Sequence, residues 1–204
     1  MLDPVLRRWV DPPLNRAGTW LAERGASANA ISLVGLGVGL LVVPLLADEQ
    51  YDWALLVILL NRLIDGLDGA IARQAGLTSF GGYLDIVCDM VFYAAVPLGF
   101  ALVSPANAPW AALLLASFVC SASSFLGRAI VAAQRGEADD GKHGAKSFFY
   151  AAGIIEGSET VLAFFLFCLF PSDFPWLSGL LAALCLWTAA ARLLDAYRSD
   201  RVGS

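Results

Sequence analysis

Four aspartates, Asp65, Asp68, Asp85 and Asp89, stand between long apolar runs, in the strings DGLDGAIAR and YLDIVCD. Hydrocarbon solvates a carboxylate badly, so acids inside an apolar run mark a functional site by default. Residues three and four apart share a helix face. Asp65 and Asp68 therefore head one stripe that continues through Gly69, Ala72, Arg73 and Gly76, while Asp85 and Asp89 lie one turn apart on a second helix. A short connection makes these helices antiparallel neighbours and brings the four carboxylates together. Carboxylates so crowded stay ionised only when cations neutralise them. Oxygen ligation without His or Cys selects a hard ion, Mg²⁺ or Mn²⁺, with Ca²⁺ a further candidate. Two ions on four aspartates would form a clamp for phosphoryl chemistry.

The small residues of the stripe complete that chemistry. Gly69 and Ala72 leave the helix face bare for a ligand, and Arg73 can meet a phosphate with its planar fork. Helix packing is the competing use of such a stripe. Other polar residues belong to the same half of the chain's apolar runs: Arg128, Lys146, Glu156 and Glu159, with Lys142 and His143 in the loop between. They are candidates for holding a second substrate or its phosphate. Arg62 lies at a similar depth, and pairing with Glu156 or Glu159 is its structural alternative. His143, the single histidine, reads as solvated.

The elements that must position these residues are membrane helices. The chain has 204 residues, 58% hydrophobic and 15% charged, with mean hydropathy +0.68. Its apolar residues fall in runs of about 20, enough to cross the hydrocarbon core of a bilayer. Six spans are expected, at 29–47, 53–75, 82–103, 109–134, 147–170 and 174–197, in an all-α integral membrane fold. Of the 13 Lys and Arg residues, only Arg62 falls mid-span, and the other 12 fall at one end of the spans. Both termini are therefore expected on the cytoplasmic side. Residues 1–28 combine four arginines with Leu14, Trp20 and Leu21 at helical spacing, which suits a helix or broken helix lying in the membrane interface. The whole of 1–204 reads as one membrane domain, with 29–197 as its bundle. Cys88, Cys120, Cys168 and Cys185 sit in separate apolar runs as small buried hydrophobes. Nothing in so apolar a chain supports nucleic-acid binding.

The pattern Asp-x-x-Asp-Gly-x-x-Ala-Arg, then Gly, then Asp-x-x-x-Asp resembles the signature of the CDP-alcohol phosphotransferases. Six spans, cytoplasmic termini and an interfacial N-terminal helix are similar to that family as well. The resemblance implies that Asp65, Asp68 and Asp85 hold the metals, Mg²⁺ or Mn²⁺. It makes Asp89 the catalytic base, with contact to a second ion. It puts Gly69, Ala72, Arg73, one of Gly81 and Gly82, and Asn29 at the CDP site. The implied reaction moves a substituted phosphate from a CDP-alcohol, with CDP-diacylglycerol foremost, to a polar alcohol and releases CMP. A bacterial inner membrane location and a homodimer also follow from the resemblance. The segment between Arg73 and the third aspartate is one residue shorter than the family's usual spacing, which leaves Gly81 and Gly82 as alternatives. An inactive nucleotide-binding relative and a cation transporter are the rival readings. The crowding of the acids at one end of the spans speaks against transport.

Overall fold

A computed structural model describes residues 3–134 and 157–202, and their regular structure is helical throughout. The helices are α1 (Asp3–Ala22), α2 (Ala28–Leu40), α3 (Val42–Ala47), α4 (Tyr51–Ala75), α5 (Ser79–Val103), α6 (Ala108–Gln134), α7 (Gly157–Leu169) and α8 (Phe174–Val202). A 3₁₀ turn, Pro171–Asp173, joins the last two. Four stretches are long and apolar enough to cross a membrane: Ala28–Ala47, Ser79–Val103, Ala108–Val131 and Pro171–Arg198. Helix α4 matches α5 in length at 25 residues. It carries Arg62 at its middle and Asp65, Asp68 and Arg73 in its second half, too polar for a span by composition. Of the expected span at 147–170, only the part from Gly157 lies among the described residues.

Local chemistry explains the boundaries. The expected first span is two helices that meet at Leu41, because Pro44 has no N–H for the carbonyl of Leu40 and its ring crowds that carbonyl. Helix α4 stops at Gly76, whose φ of +103° is open to glycine and strained for other residues. Thr78 then caps α5, its hydroxyl accepting the Gly81 N–H at 3.0 Å. Gly81 and Gly82, expected at the border of a loop, therefore belong to the first turn of α5. The connection from α4 is only Gly76, Leu77 and Thr78.

Helix α2 packs along both aspartate helices, whereas the backbones of α4 and α5 stay apart and meet through side chains, so the expected antiparallel neighbours face each other across a gap that α2 lines. Small residues make the approach possible. A Cβ on Gly35 would lie 2.9 Å from Ile64 Cγ2, and one on Gly39 would lie 2.6 Å from Asn61 Nδ2 and 2.8 Å from Phe92. Gly35 thus meets Ile64 and Gly39 meets Asn61, so α2 and α4 run antiparallel.

Helix α1 is continuous through Pro12 and Pro13, both exposed, and docks on the last turns of α4. Its Gly18 is so close to α4 that a Cβ there would lie 2.5 Å from Ala70 Cβ, and Leu14 fills the space beside Gly66. Helices α6 and α8 pack together along much of their length, and α7 packs on α4.

The apolar core lies towards the end of the bundle opposite the aspartates. Phe92, Phe100, Phe164, Phe167 and Phe174 are almost fully buried. Phe100 stacks on Phe174 with centroids 4.4 Å apart and on Tyr51, the first residue of α4, at 6.0 Å. Phe167 meets both phenylalanines edge-on. Such ring pairs add to the area they bury and fix the helix ends relative to one another.

Candidate active site

The carboxylates meet at matched depth. Counted at ~1.5 Å per residue, Asp68 and Asp65 lie ~10 and ~15 Å from the end of α4, and Asp85 and Asp89 lie ~9 and ~15 Å from the start of α5. Because α5 begins at Ser79, its aspartates sit deeper than a helix starting at Gly82 would place them. One carboxylate oxygen from each of Asp65, Asp68 and Asp85 falls within 4.8 Å of the others. Asp68 is buried, Asp65 half-buried and Asp85 exposed, so the cluster has a closed wall and an open side.

Asp89 stands apart from this group of three and faces Arg62. Arg62 NH2 lies 2.9 Å from Asp89 Oδ1, and NH1 lies 3.6 Å from Asp65 Oδ2. The NH2–Asp89 contact is an ion pair by distance whose angle falls short of a hydrogen bond. Arg62 Nε and NH2 instead donate to Asn61 Oδ1 at 2.9 and 2.6 Å. Asn61 is itself fixed, its Nδ2 donating to the Gly35 carbonyl at 2.8 Å. The guanidinium carbon lies 4.6 Å from the Phe92 ring centroid and 5.4 Å from that of Tyr93, within cation–π range. Asp89 Oδ1 is fully enclosed although the side chain is 27% exposed, which leaves Oδ2 as the oxygen a substrate can meet. Among the described residues, Asp89 and Asp65 are partners of Arg62, while the alternative partner Glu156 lies outside them.

A cleft of about 220 Å³, its open mouth included, runs between these groups. Ser32, Gly35 and Leu36 of α2 line one side, and Asn61, Arg62, Asp65, Asp68, Cys88 and Asp89 line the others. The Ser32 hydroxyl donates to the Ala28 carbonyl at 3.1 Å, and its oxygen faces the cleft that Asp68 also lines. The motif pattern did not point to Ser32, Asn61 or Arg62 as site residues. The available signal was polarity within an apolar run: Asn61 and Arg62 interrupt ALLVILL and LID, and buried polar groups need partners.

Arg73 is exposed in the last turn of α4, its NH2 donating to Asn15 Oδ1 of α1 at 3.0 Å. A Cβ on Gly69 would meet only Arg73 NH1, at 3.3 Å, so that face is bare as expected. The two candidate glycines differ. A Cβ on Gly81 would lie 3.2 Å from Asn29 Oδ1, whereas Gly82 faces open space. Ala72 is half-buried in the last turn of α4. Arg128 is half-buried near the end of α6. Glu159 accepts the Ser158 hydroxyl at 3.1 Å in the first turn of α7. That turn lies near Tyr93, since a Cβ on Gly157 would sit 3.2 Å from the Tyr93 hydroxyl. Lys142, His143, Lys146 and Glu156 lie outside the described residues.

Comparison with known proteins fixes what this geometry belongs to. The family model described as CDP-alcohol phosphatidyltransferase matches residues 26–193, most of the chain. The chain belongs to the CDP-alcohol phosphatidyltransferase family. Among relatives, the inner membrane protein YnjF of Escherichia coli is 44% identical over 198 residues, covering 97% of this chain and 96% of that one. A phosphatidylinositol phosphate synthase of Corynebacterium glutamicum is 33% identical, covering 66% of this chain and 58% of that protein. An archaetidylinositol phosphate synthase of Pyrococcus horikoshii is 34% identical over about half of each chain. In fold, the chain matches the crystal structure of Mycobacterium tuberculosis phosphatidylinositol phosphate synthase with CDP-DAG bound. That match has a TM-score of 0.57 at 20% identity, over 91% of this chain and 90% of that one.

As a CDP-alcohol phosphatidyltransferase the chain is a membrane-embedded transferase of phospholipid synthesis. The divalent cation implied by the family resemblance fits the residues present. Three carboxylates converge with no nitrogen or sulfur donor in their group, and the exposed Asp85 side leaves room for phosphate oxygens. Cys88 lines the cleft wall without joining the converging set.

Proposed function

We propose that this chain transfers the phosphatidyl group of CDP-diacylglycerol to the hydroxyl of a polar alcohol and releases CMP. The observation that carries this reading is the convergence of Asp65, Asp68 and Asp85 within 4.8 Å, beside a fourth aspartate held by Arg62. Asp65, Asp68 and Asp85 would hold Mg²⁺ or Mn²⁺, which supplies charge stabilisation to the phosphates and the leaving CMP. Asp89 accepts the proton of the acceptor hydroxyl through Oδ2 as that oxygen attacks phosphorus. The new oxygen–phosphorus bond forms as the bond to the CMP oxygen breaks, and the electron pair leaves with CMP. Gly69 and Ala72 give the nucleotide close access to the α4 backbone. Arg73 meets its phosphates, exchanging Asn15 for them. Asn29 and Gly81 bound the cytidine side, Gly81 being the glycine that faces Asn29. Gly82 would lie one position around the helix from this contact. Arg128, Lys146, Glu156 and Glu159 are the candidates for holding the acceptor. Glu159 has the geometric support that its helix begins beside Tyr93 and so near Arg62.

The same reading places the chain, residues 1–204, as one membrane domain with six crossings and both termini cytoplasmic, in a bacterial inner membrane. The absence of Lys and Arg at 48–52, 104–108 and 171–173 supports this orientation. A homodimer is compatible with it.

The reading is tested by CMP release from the purified protein in bilayer, with CDP-diacylglycerol, Mg²⁺ or Mn²⁺, and a panel of alcohols. Inositol phosphate heads the panel because several relatives are named phosphatidylinositol phosphate synthases. Glycerol phosphate, inositol, serine, ethanolamine and choline complete it. Alcohol-stimulated release that a chelator stops is the expected result. No release with any alcohol, together with no binding of CDP-diacylglycerol, would sink the assignment.

A further inference from the structure

We propose that Arg62 takes the position of a second metal ion, so that this site works with one divalent cation and one fixed guanidinium. The inference rests on the phosphotransfer reading above and refines its metal site. Four aspartates suggest two ions when only the sequence is considered. The structure divides the four differently: Asp65, Asp68 and Asp85 converge, while Asp89 is outside that group and faces Arg62.

An ion shared by the two aspartate helices at the deeper level would have to bind Asp65 and Asp89 together. Arg62 already lies between these two, 3.6 Å from Asp65 and 2.9 Å from Asp89. A Mg²⁺ ion sits ~2.0–2.1 Å from its oxygen ligands, which would press it against the guanidinium. Two like charges at contact distance in a poorly solvated cleft repel strongly.

Arg62 is also not free to leave. Asn61 holds its Nε and NH2, the Gly35 carbonyl holds Asn61, and the Phe92 ring supports one face of the guanidinium. Gly39 leaves the space that Asn61 occupies, since a Cβ there would lie 2.6 Å from Asn61 Nδ2. Three helices, α2, α4 and α5, thus contribute to fixing one charge. The fixed guanidinium neutralises the two carboxylates by charge at 2.9 and 3.6 Å, where an ion would hold them by coordination. In this arrangement Arg62 is a positioning residue: it orients Asp89 with Oδ2 outward and needs no second ion to do so.

The test is the number of Mn²⁺ ions bound per chain by the full protein in detergent, by calorimetry and by electron paramagnetic resonance, with CDP present. The wild type is expected to bind one ion, and Asp89→Asn is expected to bind one with unchanged affinity. Arg62→Lys, which keeps the charge, should also bind one. Arg62→Leu should bind two, with dipolar broadening of the Mn²⁺ signal from a neighbouring ion. Two ions in the wild type, with loss of one in Asp89→Asn, would overturn the inference and leave the phosphotransfer reading standing. One ion in Arg62→Leu would overturn it too, because Arg62 would then not be what excludes the second. No ion in any of the proteins would overturn the metal-dependent reading as a whole.

Discussion

Asp89 does its proposed work from a position set by its neighbours. Asp89→Asn keeps the shape of the side chain and removes its basicity. Turnover should fall by roughly 10²–10⁴, the usual contribution of a positioned general base, while CDP binding measured by calorimetry stays close to wild type. Near-normal turnover in that variant would remove Asp89 from the chemistry. Asn61→Leu acts one step further back. It removes the side-chain donor to the Gly35 carbonyl and the hydrogen-bond acceptor of Arg62, a cost of about 1–3 kcal/mol. A lower unfolding temperature together with a loss in kcat is expected, and rescue of both by Asn61→Gln would contradict the need for this short amide.

At the scale of elements, glycines decide how closely helices approach. Gly39→Ala would force its methyl on Asn61 and Phe92, side chains already held by bonds and packing, at a cost of about 1–3 kcal/mol. Gly18→Val tests the docking of α1, because its nearest obstacle is Ala70, backbone included, on a rigid helix. Faster amide exchange in residues 11–22 with unchanged exchange in α5 is the expected outcome, and protection of α1 as in wild type would refute it. The sequence showed the helices themselves well, since apolar runs bounded by polar turns leave few alternatives, and the aspartate spacing pointed to the carboxylates that converge. It did not show which helices touch. A link of three residues suggests backbones in close packing, yet α4 and α5 meet only through side chains across the cleft, and the glycines of α2 let that helix approach both. The pairing of Arg62 with Asp89 was not legible for a related reason. The partners of Arg62 are set by the rotation of α4 against α5, which spacing along one chain does not encode, whereas Asp65, only three residues away, was in reach of helical periodicity alone.

At the scale of the molecule, orientation is open to direct measurement. In a background with the four native cysteines replaced by alanine, cysteine at Glu49 or Ala106 should react with a membrane-impermeant maleimide from outside the cell. Cysteine at Leu77 should react only after permeabilisation. The opposite pattern would invert the molecule and put its aspartates at the outer surface. One further consequence concerns the choice of ion. Asp65 and Asp68 ride on α4, Asp85 rides on α5, and α2 is the piece against which both are seated, in the manner of a caliper whose jaws are set by a third part. Magnesium asks for oxygens at ~2.0–2.1 Å and calcium for ~2.3–2.6 Å, a difference of a few tenths of an ångström. On the proposed metal reading, α2 then sets how far apart the ligands of the two helices stand. Adding one methyl at Gly35, where Ile64 Cγ2 would lie 2.9 Å away, is expected to shift α4 against α2 and change the ratio of Mg²⁺ to Ca²⁺ affinity, as read by calorimetry, without touching a ligand.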